Sequence, residues 1–254
     1  MISAYLEQID AIQKLDGRVI IMASRALAQI ARGPTDYAKV YDRVLAACDA
    51  PVILHWLGEM FDPALAGYWG GKDFEEAMDV ALGIINENIA KVDGIKISFL
   101  DKDKEIIMRR RLPEGAKMYT GDDFNYPELM AGDSESFSHA LLGIFDPLAS
   151  AIGGAMACLD KGDHDGFRAA LDPTVPLARL IFRAPTQYYK TGVVFLAWLN
   201  GHQDHFIMLN GAQAMRPLPY FADVFRLADQ NGLFQDTDLA TARMKNLLEL
   251  YGVA

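Results

Sequence analysis

The sequence predicts an α/β fold in which helices cross a parallel sheet, followed by an all-helical C-terminal region. Three observations carry that expectation. Short apolar runs recur through the first part of the chain, as β-strands would. Segments with helical periodicity separate them, and strand alternating with helix implies parallel strands joined by right-handed crossovers. From about Pro147 the strand runs stop and the remaining segments carry helical spacing.

Taken in order, MISAYLEQIDAIQKL reads as an amphipathic helix with acids in it rather than as a signal peptide. The strand candidates are RVIIMA (18–23), PVILHW (51–56), GIKISF (94–99), AKMYT (116–120) and ALLGIFD (140–146). Between them, PTDYAKVYDRVLAAC starts near Pro34 and carries a stripe of Tyr37, Val40, Tyr41, Val44 and Leu45. DFEEAMDVALGIINENIA has acids in its first turn, where the helix dipole favours them. DKDKEIIMRRRL and PELMAG are shorter helical pieces. The tail holds PLASAIGGAMACLDKGD, TVPLARLIFRA, TQYYKTGVVFLAWLNG, LPYFADVFRLADQNG and LATARMKNLLELYG, several closed by a glycine. The expected division is a β/α portion over 1–162 and a helical region over 163–254.

At 254 residues, 51% hydrophobic, the chain has enough apolar material for a sizeable core. Its formal charge of −10 argues against nucleic acid or an anionic membrane surface as partner, since both reward a basic patch. Cys48 and Cys158 form no CxxC pair, so neither a disulfide framework nor a structural zinc site is expected, and a reducing cytoplasm fits. Neither a P-loop nor a dinucleotide fingerprint occurs. His202, Asp204 and His205 in NGHQDHF lack a third ligand at a recognised spacing, so no metal is assigned to them.

The stretch VDGIKISF poses the functional question. Ile95, Ile97 and Phe99 alternate with Lys96 and Ser98, which puts an amine on an otherwise apolar strand. It is either a solvated lysine on an exposed sheet or a buried amine kept for chemistry. In PVILHW, His55 alternates with Ile53 and Leu57, which fits a hydrogen-bonded core histidine or an acid/base group. Trp56, on the other face, is expected to pack on the helices.

These strands resemble the Schiff-base aldolase superfamily typified by dihydrodipicolinate synthase and N-acetylneuraminate lyase. GIKIS is similar to its sixth barrel strand, whose lysine forms the imine with a 2-oxo acid; here that is Lys96. YTGDDF is similar to the seventh-strand motif. PVILHWLG stands where the fifth strand brings a tyrosine to the site, and here His55 takes that place. GDHDGFRAAL and QYYKTGVVFLAWLNG are similar to the C-terminal helices. The resemblance implies strands 4–8 of a (β/α) TIM barrel, with 18–23 as the fourth, so the chain looks N-terminally truncated. The hydroxyl-rich loop that holds the substrate carboxylate has no counterpart, and Met60 and Phe61 stand where some members carry an arginine.

What the resemblance implies is a class I lyase, aldolase or dehydratase acting on a 2-oxo acid or a sugar-derived acid. Lys96 would form the imine and His55 would move protons. No metal or cofactor is expected, because the protonated imine is itself the electrophile. Ser24, Arg25, Gly121, Asp122 and Asp146 sit at strand ends, where barrel enzymes build their sites, and are the expected substrate contacts. Arg25 suits a carboxylate or phosphate, and equally a surface ion pair. The partners expected are a small-molecule acid and further copies of the chain. A non-catalytic ligand-binding barrel and a metal-dependent hydrolase are the alternatives. Open edges on the first and last strands are expected to pair with another chain, to be covered by the tail, or to aggregate.

Overall fold

In a computed structural model that describes residues 1–253, the chain runs through α1 (Ile2–Gln13), β1 (Ile20–Met22), α2 (Arg25–Ile30), α3 (Pro34–Leu45), β2 (Val52–Leu57), α4 (Phe74–Glu87), β3 (Val92–Ser98), α5 (Lys102–Arg111), β4 (Lys117–Thr120), α6 (Tyr126–Ala131) and β5 (His139–Ala140). Helices alone follow: α7 (Ala149–Leu159), α8 (His164–Leu171), α9 (Val175–Ile181), α10 (Tyr189–Leu199), α11 (Leu218–Gln230) and α12 (Thr237–Leu250), with 3-10 turns between some of them. The starts are chemically marked. Ser24, Asp73 and Asp101 each accept a backbone N–H from the first turn of α2, α4 and α5. α3 begins on Pro34, whose missing N–H costs nothing there.

The five strands form one sheet in the order β1–β2–β3–β4–β5, every pair parallel, as the alternation of strand and helix predicted. ALLGIFD is not a strand over 140–146. Pairing with β4 is limited to His139 and Ala140, and a last amide, Leu141 N–H, reaches the Thr120 carbonyl. The chain then turns through a 3-10 segment at Gly143–Phe145. An apolar run proved a poor guide there, because its burial comes from a turn rather than a ladder.

The register between β2 and β3 contains a bulge. Val52 lies opposite Val92, but Ile53 lies opposite Gly94, so β3 holds one residue more. Were the first pairing continued, His55 would face Ile95. The extra residue brings it opposite Lys96 instead.

Contacts gather into two units. The first comprises Met1–Asp122 and Glu128–Leu141; the second comprises Asp123–Pro127 and the chain from Leu142 onward. In the first unit one face of the sheet is covered by helices. Ile21, Leu54, Ile95 and Met118, neighbours across four strands, are all buried there beside Tyr41, Val44, Met78, Ile85 and Met108. Trp56 joins them, stacked on Phe74 with ring centres 5.5 Å apart and edge-on to Phe99 at 4.8 Å. At the β1 edge, the Tyr5 hydroxyl of α1 donates to the Met22 carbonyl at 3.0 Å, so the N-terminal helix, which was not among the three expected fates of the open edges, takes part of this one.

The second unit has its own core, with Phe167, Leu177, Ile181, Phe195, Phe221 and Val224 fully enclosed. Gly232 follows α11 at φ 62°, the left-handed turn that ends a helix and that a side chain resists. Arg216 clips a loop by donating to the carbonyls of Arg183, Ala184 and Pro185. Among the described residues, no helix is long and apolar enough to cross a membrane.

Candidate active site

One transverse row of the sheet holds most of the chemistry. Met22, His55, Lys96, Tyr119 and His139 are successive partners across β1 to β5 and therefore project from the same face. That face is opposite the helix-covered one. It is not sealed within the first unit: Met22 is 47% exposed, and His139 is exposed as well.

Lys96 is half-buried in the centre of the row. Its side chain runs past Gly121, the first residue after β4, whose amide donates to the Ile97 carbonyl at 2.8 Å. A Cβ built on Gly121 would stand 2.7 Å from Lys96 Cε and 2.1 Å from Ser98 Oγ, closer than real carbons approach. The absence of a side chain there is what leaves room for the lysine and the serine together.

His55 is buried, with Nε2 3.0 Å from Ser98 Oγ and Nδ1 2.8 Å from Met22 Sδ. Burial, and then the positive charge of Lys96, lower its pKa to about 3. The ring is therefore neutral at ordinary pH, one nitrogen a donor and the other an acceptor. Ser98 is a member of the site that the motifs did not single out. The alternation in VDGIKISF does put it on the lysine's face, and that was the signal available.

Next in the row, the Tyr119 hydroxyl donates to Asp93 Oδ2 at 2.5 Å, and Lys117 pairs with the same carboxylate at 2.9 Å. Asp93 is the bulge residue. These contacts hold its carboxyl below the usual range, while burial and then the bond and charge of Asp93 push the Tyr119 phenol up to about 12.

The other expected contacts fall as follows. Asp122 is buried beside the Gly121 corner, its amide bonded to Thr120 Oγ1 at 3.1 Å. Its neighbour Asp123, not one of the expected contacts, accepts the Ile144 amide. Ser24, two residues beyond Met22, caps α2, and its own N–H donates to the Tyr68 hydroxyl at 3.0 Å. Tyr68, also bonded to Tyr41, comes from a 3-10 turn in which Trp69 holds φ 73°. That backbone costs on the order of 1–3 kcal/mol, offset by complete burial of the indole. Arg25 is largely exposed and forms an ion pair with Asp62. Asp146 belongs to the second unit, where with Ser150, Asn200 and His202 it lines a cavity of about 80 Å³. A larger cavity in the first unit, about 290 Å³, is lined by Trp56, Phe99 and Lys104 and lies beyond β2 and β3 without including Lys96. Among the described residues no group of three or more His, Cys, Asp or Glu is arranged to hold a metal.

Comparison with known proteins gives a family and a fold. The family described as "Protein of unknown function (DUF993)" matches residues 1–253. No curated protein matches the chain. Among solved structures, a candidate dihydrodipicolinate synthetase from Pseudomonas aeruginosa aligns with a TM-score of 0.69 at 18% identity, over 91% of this chain and 72% of its own. Dihydrodipicolinate synthase from Aquifex aeolicus aligns with a TM-score of 0.62 at 12% identity, over 93% of this chain and 83% of its own. KD(P)GA from T. tenax aligns with a TM-score of 0.53 at 18% identity, over 91% of this chain and 83% of its own. What is shared at these identities is the fold, and it is the fold that the strand motifs resemble.

Proposed function

The chain belongs to that family of unknown function, and from this premise we propose that it is a lyase working through an imine on Lys96, with a 2-oxo acid or a sugar-derived acid as substrate. The observation that carries the reading is the row itself. An amine stands on the open face of a parallel sheet beside a buried neutral imidazole, with a glycine cleared to let the amine extend. The likeness in fold to dihydrodipicolinate synthase and KD(P)GA supports it.

Once it has given up its proton, the amine of Lys96 attacks the ketone carbon of the substrate, forming a C–N bond while the carbonyl electron pair moves to oxygen. Loss of that oxygen as water leaves an imine, which when protonated withdraws electrons from the adjacent carbon. A C–C bond one atom further out can then break, its electron pair collapsing toward nitrogen. For a C–O bond the adjacent carbon first loses a proton to give the enamine, whose electrons then expel the oxygen with its bonding pair. Water finally releases the product and restores the amine. His55 fits the proton transfers because it is neutral and bonded to the Ser98 hydroxyl, which shares the space above Gly121 with the lysine. With its pKa about 3 the ring does not store a proton, and the Met22 thioether on Nδ1 can neither give nor take one, so any exchange runs through Nε2 and the Ser98 hydroxyl. Ser24, Arg25 and Asp122 are the assigned substrate contacts, Arg25 by exchanging Asp62 for a substrate carboxylate.

Borohydride trapping tests the reading. Incubation with pyruvate and a panel of sugar-derived 2-oxo acids, followed by reduction and peptide mass spectrometry, is expected to place the added mass on Lys96. Lys96→Ala should lose it while melting as the parent does. No adduct from any acid would sink the imine and leave a ligand-binding sheet.

A further inference from the structure

Met22 stands at the end of the transverse row, directly opposite His55, and the proposed chemistry gives it no part. Its backbone is held from two sides. The next amide, Ala23 N–H, donates to the His55 carbonyl at 3.1 Å, and the Tyr5 hydroxyl donates to the Met22 carbonyl at 3.0 Å. Held there, its sulfur lies 2.8 Å from His55 Nδ1, while Nε2 lies 3.0 Å from Ser98 Oγ. Both ring nitrogens are engaged. Turning the ring over would put Cδ2 against the sulfur and Cε1 against the hydroxyl, and would lose both contacts.

The two partners differ in what they offer. A hydroxyl gives or accepts a hydrogen, whereas a thioether only accepts. A neutral imidazole carries its hydrogen on one nitrogen. With that hydrogen on Nδ1, the sulfur accepts it and Nε2 accepts the Ser98 hydrogen, so both contacts are hydrogen bonds. With it on Nε2, Ser98 still accepts, but the Nδ1 lone pair faces the lone pairs of sulfur with no hydrogen between them. In a ring only 7% exposed, an acceptor left in that state is costly. The sulfur therefore selects the Nδ1–H form.

That choice reaches the lysine through Ser98. Its hydrogen is given to Nε2, so its oxygen turns only lone pairs to the remaining space. Ser98 Oγ and Lys96 Cε crowd one point above Gly121, at 2.1 and 2.7 Å from where a Cβ would stand. In the other tautomer the hydroxyl would take a hydrogen from Nε2 and could aim its own at that space. A donor there competes for the lone pair of the amine, which must be free to attack a ketone. An oxygen that only accepts leaves that pair to the substrate.

We propose that Met22 is a positioning residue: its thioether holds His55 as the Nδ1–H tautomer, so that Ser98 faces Lys96 as a hydrogen-bond acceptor. The effect on Lys96 rests on the imine reading, whereas the hold on the ring does not.

The test reads the ring directly. Long-range proton–nitrogen correlation spectra at pH 8 distinguish the two tautomers, and His55→Gln identifies the signals by difference. The parent protein should show Nδ1–H. Met22→Leu, which keeps an apolar side chain and removes the acceptor, should move the ring largely to Nε2–H. Norleucine in place of methionine throughout, which removes only sulfur, should do the same. The initial rate of borohydride-trapped adduct on Lys96 with pyruvate should fall in Met22→Leu by the factor by which the Nδ1–H fraction falls, on the order of tenfold. Thermal melts check folding. Nε2–H in the parent, or Nδ1–H persisting in both folded variants, overturns the hold on the ring. A shifted ring with an unchanged adduct rate overturns its effect on Lys96. An Nδ1–H ring in a protein that forms no adduct with any acid overturns the imine and leaves the hold on the ring standing.

Discussion

A methyl group added at Gly121 would meet Ser98 Oγ at 2.1 Å, the Ile97 carbonyl at 2.6 Å and Lys96 Cε at 2.7 Å. The first and last are side-chain atoms of the site that would have to swing away, while the Ile97 carbonyl is backbone of the strand beneath and has no such freedom. Gly121→Ala is expected to cost about 1–3 kcal/mol in urea unfolding, as overpacking does, and to reduce Lys96 trapping out of proportion to that loss. Normal trapping in the folded variant would show that the lysine does not need this space. Lys96, His55 and Gly121 were each legible, the first two from alternation and resemblance and the third from its place after a strand. The burial of Glu105 was not. The buried residues of α5 include Glu105, Met108 and Arg109, so its inward face is largely charged and shows no apolar stripe.

Strands announced themselves where they were buried by a ladder. IIM, VILHWL, VDGIKIS and KMYT fall within a residue or two of the apolar runs. The fifth did not, since its two residues, His139 and Ala140, are hardly apolar and the greasy run beside them forms a turn. Register was beyond reach for another reason. The pairing of His55 with Lys96 depends on the extra residue at Asp93, and a bulge leaves no mark in hydrophobic periodicity. Packing between β2 and the helices is a property of the element as a whole. Trp56 meets Phe74, Phe99 and Trp69 at centroid distances of 5.5, 4.8 and 6.2 Å. Trp56→Ala should therefore destabilise the first unit by about 3–5 kcal/mol. A loss below 1 kcal/mol in chemical denaturation would mean that the aromatic cluster closes over the gap.

Two buried titratable groups give the molecule a stability profile of opposing slopes. His55 binds its proton less readily folded than unfolded, with a folded pKa of about 3 against an ordinary 6.5. Its contribution is complete above 6.5 and drains away as pH falls toward 3. Glu105 behaves the other way, holding its proton to about 7 where an ordinary glutamate releases it at 4.5. Its contribution is complete below 4.5 and is lost as pH rises through 7. Each slope approaches about 1.4 kcal/mol per pH unit, so between 4.5 and 6.5 they largely cancel. The unfolding free energy of the first unit, read from Trp56 and Trp69 in a Trp198→Phe background, should vary little across that window. Glu105→Gln should make it climb with pH, since the slope of His55 survives and His139, whose pKa burial also lowers, adds to it with the same sign. His55→Gln should make it fall, by the same reasoning. Curves for both variants that run parallel to the parent's would mean that neither group changes its proton affinity on folding. The neutral imidazole would then lose its basis.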